Sequence, residues 1–526
     1  MSRPAYILCL FVLLQVGCSP TENSQPPPRP NILIAIADDA SFPHMGAYGC
    51  TWVKTPAFDH VAANGILFTN AYTPNAKCAP SRACILTGRN SWQLEEGANH
   101  WGYWPEKFKS YIEVLGENDY HVGYTRKGWL PGIFRGEPRE LTGKAYNERT
   151  LTPPTNGISP IDYAGNFAAF LEDKPDDQPF HFWYGSIEPH RVYQYGSGEE
   201  LGGKSTDDLD RVPGFWPDND TVRNDLLDYA YEIEYFDSHL QMMLDLLREK
   251  GELENTIVIV TADNGMPFPR VKGQAYEYSN HLPLAIMWPD GIKQPGREVA
   301  DLISFIDFAP TLMDLIGIDP EETNMQPIQG ASFSDLLNDE QSKARDFVLI
   351  GKERHDVGRP DDQGYPIRGI VKDGYLYVQN FETDRWPSGN PETGYLNCDG
   401  SPTKTECLKA HHQNGTKHYW SLAFGKRSPE ELFQISKDRE CLVNLADEED
   451  HQSVKEELKN LMIAELTKQA DPRILGNGHI FDQYVYADVK THDFYNRYFA
   501  GEALEAGWVN QSDFEDKIPP STVDSP

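Results

Sequence analysis

The stretch that decides the fold is Asn31–Asp39, which reads NILIAIADD. Its apolar and β-branched residues at 31–37 predict a β-strand, and the adjacent carboxylates Asp38 and Asp39 follow directly. In open α/β sheets, ligands bind beyond the carboxyl ends of the strands. The two aspartates are therefore candidates for a functional site at the end of this strand.

Similar apolar runs recur along the chain and alternate with helical patterns, which predicts a doubly wound α/β domain. The amphipathic spacing over Val222–Lys250 predicts a helix, and Phe305–Ile316 predicts another. The further predicted strands are Tyr120–Thr125, Phe180–Ser186, Thr256–Thr261 and Leu284–Trp288. We assign residues 31–346 to this larger domain.

From about Phe347 the pattern changes to that of a smaller α+β domain over residues 347–526, which includes the C-terminal tail. Asp373-Gly374 is a hairpin turn signal between two short apolar runs. The predicted elements are the strands Ile367–Val371, Tyr375–Gln379 and Leu432–Ile435, and the helix Glu448–Gln469.

The composition limits the classes of partner. The 526 residues carry a net charge of −33, and 12% of them are aromatic, which is ample for a folded core. A strongly negative protein repels polyphosphates, so nucleic acid and anionic membranes are disfavoured as partners. An anionic substrate would require positive charge concentrated in one pocket.

The N-terminus resembles an export signal. Residues 1–17 combine a basic start with an apolar run that is too short to span a bilayer. Cys18, in the box Gly17-Cys18-Ser19, would carry a lipid anchor in a bacterial lipoprotein, whereas ordinary cleavage nearby is the alternative. Residues 18–30 form a Pro-rich spacer. The protein is accordingly predicted to be exported, as a periplasmic, cell-surface or secreted protein.

Two cysteines late in the chain bracket a loop of Gly, Pro and Thr residues. In an oxidising compartment Cys398 and Cys407 are expected to form a disulfide, and two free thiols are the alternative.

Polar residues follow four of the predicted strands. They are Asp38-Asp39, Lys127, His190 and Asp263-Asn264. Any one of these groups has an ordinary explanation, because Asp and Asn are common caps and turn residues. Together, three carboxylates and an amide oxygen would make a hard oxygen site suited to Ca²⁺ or Mg²⁺.

The most informative motif is Cys78–Arg89, which reads CAPSRACILTGR. Pro80 suits a first helical turn, so a short helix is predicted over Ser81–Leu86. Cys78 then lies at the helix N-terminus, where free N–H groups and the helix dipole favour an anion. A structural or disulfide-bonded cysteine is the alternative.

This motif resembles the signature of the type I sulfatases, C-x-P-S-R followed by L-T-G. The resemblance extends from Asn31 to about Ala446, and DNGMPFP at Asp263–Pro269 is most similar to the heparan N-sulfatase (sulfamidase) branch. It implies an alkaline-phosphatase-like sandwich: a large mixed, mostly parallel sheet flanked by helices, with a smaller C-terminal α+β domain that contains an antiparallel sheet.

The resemblance also implies a set of functional residues. Cys78 would be converted to 3-oxoalanine (formylglycine) by a formylglycine-generating enzyme, and its hydrate would attack sulfur. Arg82 would support the formylglycine and its sulfate. Lys127 and Lys272 would bind the sulfate, and His190 would face the leaving-group oxygen. A calcium ion would be bound by Asp38, Asp39, Cys78, Asp263 and Asn264.

One position departs from the family pattern. Trp129 stands where the family has the histidine that helps to break the covalent intermediate, so the identity of that base is open.

The predicted function is hydrolysis of sulfate esters or sulfamates on a sulfated carbohydrate such as ulvan or a glycosaminoglycan. Candidate sugar contacts are His100, His355 and Arg359, although the segment Lys352–Arg359 could equally be a solvated loop. A phosphoesterase of the alkaline phosphatase superfamily is one alternative, normally with a Ser or Thr nucleophile and two zinc ions. A non-catalytic glycan-binding protein on the same scaffold is the other.

Overall fold

The computed structural model describes residues 29–338, 345–413 and 415–516. The predicted export signal, Cys18 and all of the spacer before residue 29 lie outside the described residues, as does the chain after residue 516. No helix within the described ranges is long and apolar enough to cross a membrane.

A large mixed sheet forms the centre of the fold. Its strands lie in the order β4-β3-β5-β1-β6-β7-β2-β8, and β9 also pairs with β2. All the pairings are parallel except those of β7 with β6 and with β2. The strands are β1 (Asn31–Ala37), β2 (Ile66–Tyr72), β3 (His121–Arg126), β4 (Lys144–Ala145), β5 (Phe180–Gly185), β6 (Thr256–Ala262), β7 (His281–Met287), β8 (Arg297–Val299) and β9 (Ile303–Ser304).

Helices cover both faces of this sheet. They are α1 (Pro56–Ala63), α2 (Cys78–Thr87), α3 (Tyr111–Glu117), α4 (Tyr163–Asp173), α5 (Ser197–Glu200), α6 (Asp220–Lys250), α7 (Glu277–Asn280), α8 (Phe308–Leu315) and α9 (Ser334–Asn338). Alternate residues of β1 belong to different cores. Leu33 packs with residues of α1, α4 and α6, whereas Ile34 packs with residues of α2, α3 and α8. This three-layer arrangement confirms the predicted fold class.

A second, antiparallel sheet follows in the order β10-β11-β12-β13. Its strands are Val348–Lys352, Ile367–Lys372, Tyr375–Asn380 and Glu430–Phe433. Both Asp373 and Gly374 have positive φ, at 51° and 75°, which the predicted tight hairpin turn requires. The remaining helices are α10 (Pro402–His411), α11 (Lys417–Phe424), α12 (Gln452–Lys468), α13 (Ile480–Gln483) and α14 (Phe494–Phe499). The domain division at residues 346 and 347 stays a prediction.

Several local predictions differ from the structure. The helix predicted over Phe305–Ile316 begins with a 3₁₀ turn, Phe305–Asp307, before α8. The disulfide predicted between Cys398 and Cys407 is not formed: both are buried free thiols, packed in the apolar core beside α10 and α11.

Helix α1 is capped from outside its own segment. Thr55, the residue before it, makes no capping bond with its side chain, and the buried Asp237 of α6 instead accepts the N–H groups of Ala57 and Phe58 at 2.9 and 2.8 Å. Since helix N–H groups without a partner are costly when buried, this carboxylate ties α1 to α6.

We expect Asp237→Ala to lower the free energy of unfolding by about 2 kcal/mol, because it leaves two buried N–H groups without an acceptor. Urea unfolding monitored by circular dichroism measures the change. The matched control is Asp245→Ala on the same helix, where the side chain is 49% exposed and a change within about 0.5 kcal/mol is expected. Equal effects of the two substitutions would contradict the capping role of Asp237.

Candidate active site

The carboxyl ends of β1 and β6 bring four of the predicted residues together. The two strands are parallel neighbours, with Ala37 beside Ala262, so the residues that follow each strand lie side by side. The Asp39 N–H donates to Asp263 Oδ1 at 3.1 Å, and Asn264 Nδ2 donates to Asp39 Oδ1 at 2.6 Å. Asp38, Asp39, Asp263 and Asn264 are all completely buried.

Helix α2 delivers Cys78 to the same point. The cysteine is the first residue of the helix, and its Sγ lies 3.4 Å from Asp38 Oδ1 and 3.9 Å from Asp39 Oδ1. One turn later, Arg82 Nε donates to Asp263 Oδ2 at 2.7 Å, and its Nη1 donates to the carbonyl of Lys127 at 2.6 Å. Arg82 therefore joins the ends of β3 and β6 beneath the cysteine.

Two buried lysines pair with the aspartates that follow β1. Lys127, just after β3, pairs with Asp38 Oδ2. Lys272 Nζ lies between Asp39 Oδ2, at 2.6 Å, and Asp399 Oδ2, at 3.0 Å. Nothing in the sequence indicated Asp399, which follows Cys398 and belongs to no motif. Its place in the site depends on its contact with Lys272, which lies 127 residues earlier in the chain.

The histidine predicted to act on the leaving group lies at the edge of this cluster. His190 Nε2 is 3.9 Å from Asp39 Oδ2, and its Nδ1 is 2.6 Å from the carbonyl oxygen of Arg191. Its side chain is 31% exposed, whereas the aspartates are buried. His190 is thus positioned between the carboxylate cluster and solvent.

Burial and charge set the protonation of the cluster. Burial acts to raise the pKa of Asp38, but the combined positive charges of Lys127, His190 and Arg82 hold that pKa below its ordinary value. Burial acts to lower the pKa of Lys272, but Asp39 and Asp399 outweigh it and raise that pKa well above its ordinary value. Burial, and then the charge of Asp38, raise the pKa of the Cys78 thiol well above its ordinary value.

The donor atoms of this cluster fit a hard divalent cation. One ligand atom from each of Asp38, Asp39, Cys78 and Asp263 lies within 4.8 Å of the others. Asn264 Oδ1 is buried without a hydrogen-bond partner, although a buried amide oxygen normally has one. Carboxylate and amide oxygens are the ligands that Ca²⁺ prefers, so this unpartnered oxygen beside the aspartates suits such an ion.

Trp129 is a structural residue in this chain. Its indole Nε1 donates to the carbonyl of Ala79, in the first turn of α2, at 3.0 Å, and its ring packs against Trp104. The side chain is buried and does not line the cavity described next. The position therefore supports the helix that carries Cys78 and offers no base.

A cavity of about 290 Å³ opens above Cys78. Its base contains Asp38, Lys127, Lys272 and His190. Among the wall residues, the sequence predicted His100 but gave no sign of Asp356 or Trp508. The full lining is Asp38, Lys77, Cys78, His100, Trp101, Arg126, Lys127, Leu130, Pro131, Ile187, His190, Lys272, Asp356, Asp399 and Trp508.

The three predicted sugar contacts have different positions. His100 lines the cavity, where its Nδ1 lies 2.7 Å from Asp356 Oδ1, and the other oxygen of Asp356 binds Lys77 at 2.7 Å. His355 is completely buried, with its Nε2 2.7 Å from Asn75 Oδ1, and it does not line the cavity.

Arg359 is likewise absent from the cavity wall. It is buried and donates to the carbonyls of Trp386, at 2.7 Å, and Pro387, at 2.9 Å. The segment 352–359 is therefore packed inside the protein, and the alternative of a solvated loop is wrong.

Known proteins share both the sequence pattern and the fold. The chain is 27% identical to an ulvan-active sulfatase of Formosa agariphila, over 87% of this chain and 78% of that protein. It is 27% identical to human N-sulphoglucosamine sulphohydrolase, over 83% of this chain and 90% of that protein. A structure solved in complex with its substrate D-glucosamine-2-N,6-O-disulfate superposes with a TM-score of 0.61 at 18% identity, covering 84% of this chain and 98% of the other.

The sheet order and the flanking helices define an α/β protein with the alkaline-phosphatase-like fold. Residues 30–318 match the family model described as Sulfatase, and the chain belongs to the sulfatase family. It is a sulfuric ester hydrolase, as the sequence predicted.

We expect Asp399→Asn to lower kcat/KM for a sulfate ester about tenfold, because Lys272 loses one of the two carboxylates that position it. Assay with 4-nitrophenyl sulfate measures the effect. Asp384→Asn, at an exposed carboxylate, is the control and should keep the wild-type rate. Wild-type kinetics in the Asp399 variant would remove this residue from the site.

Proposed function

We propose that the protein removes sulfate, as an ester or a sulfamate, from a sulfated carbohydrate, with Cys78 converted to formylglycine and a calcium ion bound beside it. The observation that carries the proposal is the position of Cys78. Its Sγ lies 3.4 Å from Asp38 at the base of a cavity that also contains Lys127 and Lys272.

The state of the Cys78 thiol supports its conversion. The thiolate is the nucleophilic form of cysteine, and here burial and Asp38 raise the pKa, so the unmodified side chain stays protonated. The hydrated aldehyde would supply a nucleophilic hydroxyl and a second hydroxyl for releasing the sulfate. A formylglycine-generating enzyme would be the partner during maturation.

The cation would be held by Asp38, Asp39, Asp263, Asn264 and the modified residue 78. It would supply positive charge to the transferring sulfuryl group. The unpartnered Oδ1 of Asn264 is the observation that supports this ligand set.

The basic side chains have separate tasks. Lys127 and Lys272 lie at the cavity base, where they would bind the sulfate oxygens and stabilise the charge that develops on them. Arg82 does not line the cavity and holds Asp263 in place. This local positive charge lets a protein of net charge −33 accept an anionic substrate.

His190 is the proposed proton donor to the leaving group. Its Nδ1 contacts the Arg191 carbonyl, which is consistent with Nδ1–H as the donor and leaves Nε2 on the side of Asp39 and the cavity. A partly exposed imidazole beside the reacting group can transfer a proton to a departing alcohol or amine.

The upper part of the cavity supports a sugar substrate. Trp101 and Trp508 line it, and indole faces offer apolar surface to the C–H face of a sugar ring. Relatives named for ulvan and for N-sulphoglucosamine support a sulfated polysaccharide or its fragments as the substrate. Export through residues 1–17, with or without a lipid on Cys18, would bring the enzyme to such a substrate.

Mass spectrometry across residue 78 tests the proposal. In active protein we expect the peptide to be about 18 Da lighter than the cysteine form, because the thiol has become an aldehyde. Sulfate release from sulfated oligosaccharides should accompany this change, and Cys78→Ala should abolish it.

Full activity of protein that retains the thiol would contradict the proposed nucleophile. A parallel assay with phosphate esters separates the alternative phosphoesterase, which would turn over the phosphate ester faster than the sulfate ester. Unchanged function in Cys78→Ala would favour a binding protein.

We expect Asn264→Ala to weaken calcium binding at least tenfold, because it removes the amide oxygen that has no other partner. Calcium titration calorimetry measures the affinity. The control is Asn70→Ala, at a half-buried amide on β2 whose Nδ2 donates to the Ala300 carbonyl at 2.8 Å. Equal calcium affinity in the two variants would exclude Asn264 as a ligand.

A further inference from the structure

A second group of metal-ligating side chains lies in the C-terminal part of the chain. His411 ends α10, His412 follows it, and Glu515 reaches them from a segment about a hundred residues later. One ligand atom from each residue lies within 4.8 Å of the others. None of the three lines the catalytic cavity.

The distances suit a shared cation better than a hydrogen bond. Glu515 Oε1 is 3.5 Å from His411 Nδ1 and 3.5 Å from His412 Nε2. A hydrogen bond between such atoms is normally closer to about 2.9 Å. Two ligands of a tetrahedral Zn²⁺ with bonds of about 2.0 Å are separated by about 3.3 Å.

Neighbouring aromatic residues hold two of the ligands in place. The His411 ring stacks on Trp420, with centroids 3.8 Å apart and planes 4° apart. Trp420 Nε1 donates to the Tyr395 hydroxyl at 3.1 Å, and that hydroxyl donates to Glu515 Oε2. The stacking on Trp420 holds the His411 ring in place. The two hydrogen bonds orient Glu515 so that its Oε1 is directed at the histidines, as outer-shell partners do in metal sites.

The exposure of the ligands also suits a metal. His411 and Glu515 are mostly buried, whereas the His412 side chain is 73% exposed. An ion could therefore enter from the side of His412.

We propose that His411, His412 and Glu515 bind a zinc ion, with the remaining coordination position open to water. Two imidazoles and one carboxylate are a ligand set found for this metal. The site is separate from the catalytic centre and does not depend on the proposed reaction.

The zinc ion would fasten the C-terminal segment to α10. In the same segment, Asp513 pairs with Lys404 of α10 at 3.3 Å, and Trp508 donates to the Leu396 carbonyl at 2.8 Å. Trp508 also lines the catalytic cavity. The site would therefore stabilise the segment that supplies one wall of that cavity.

Zinc titration calorimetry of the full-length protein tests the proposal, after removal of bound metals and with excess calcium present. We expect wild type to bind one zinc ion more than His412→Ala, and Tyr395→Phe to bind that ion about tenfold more weakly. His412→Ala changes an exposed side chain, so its fold is expected to be intact, which circular dichroism checks.

His418→Ala is the matched control, because this histidine lies on the neighbouring α11 and is outside the cluster. It should bind zinc as wild type does. Zinc should also slow hydrogen exchange over residues 505–516 in wild type and not in His412→Ala. Equal zinc binding by wild type and His412→Ala, or an equal loss in His418→Ala, would overturn the proposal.

Discussion

The structure around the candidate active site depends on holding three buried carboxylates together. Asp38, Asp39 and Asp263 have ligand atoms within 4.8 Å of one another, and buried like charges repel strongly unless cations compensate them. Each carboxylate has its own cation: Lys127 for Asp38, Lys272 for Asp39 and Arg82 for Asp263. These ion pairs offset the repulsion among the three carboxylates, whose oxygens are the kind of ligand that a hard divalent cation prefers.

The parallel pairing of β1 with β6 determines where the charged residues of the site lie. Register places the residues after both strands at one edge of the sheet, where the first turn of α2 brings in Cys78. Arg82, in the next turn, donates to Asp263 after β6 and to the Lys127 carbonyl after β3, and is itself completely buried. The short α2 helix thus carries both the proposed nucleophile, at position 78, and Arg82, which balances part of the negative charge.

The periodicity of apolar residues predicted the main strands and helices. It was less accurate about the boundaries of strands that begin with polar residues. The strand predicted as Leu284–Trp288 begins at His281, whose backbone pairs with Tyr72 of β2. The polar His281 ring is accommodated there because its Nδ1 lies 2.6 Å from Glu277 Oε1 and its Nε2 lies 2.9 Å from the Thr69 carbonyl oxygen. The last strand begins at Glu430, whose backbone pairs with Gln379, and the carboxylate of the buried Glu431 accepts hydrogen bonds from Tyr276 and Asn380. Apart from Glu277, these partners are remote in sequence, so a local pattern assigns these residues to loops.

The sequence alone determined the sulfatase motif, the residues after the strands and the α/β class, since these depend on residue type and local spacing. Tertiary structure decided which side chains meet: Asp399 beside Lys272, Asp356 between Lys77 and His100, and Trp508 in the cavity wall. It also decided that Arg359 is buried among backbone carbonyls. The physical reason is that these contacts join chain segments far apart in sequence, and only the packed fold sets their distances.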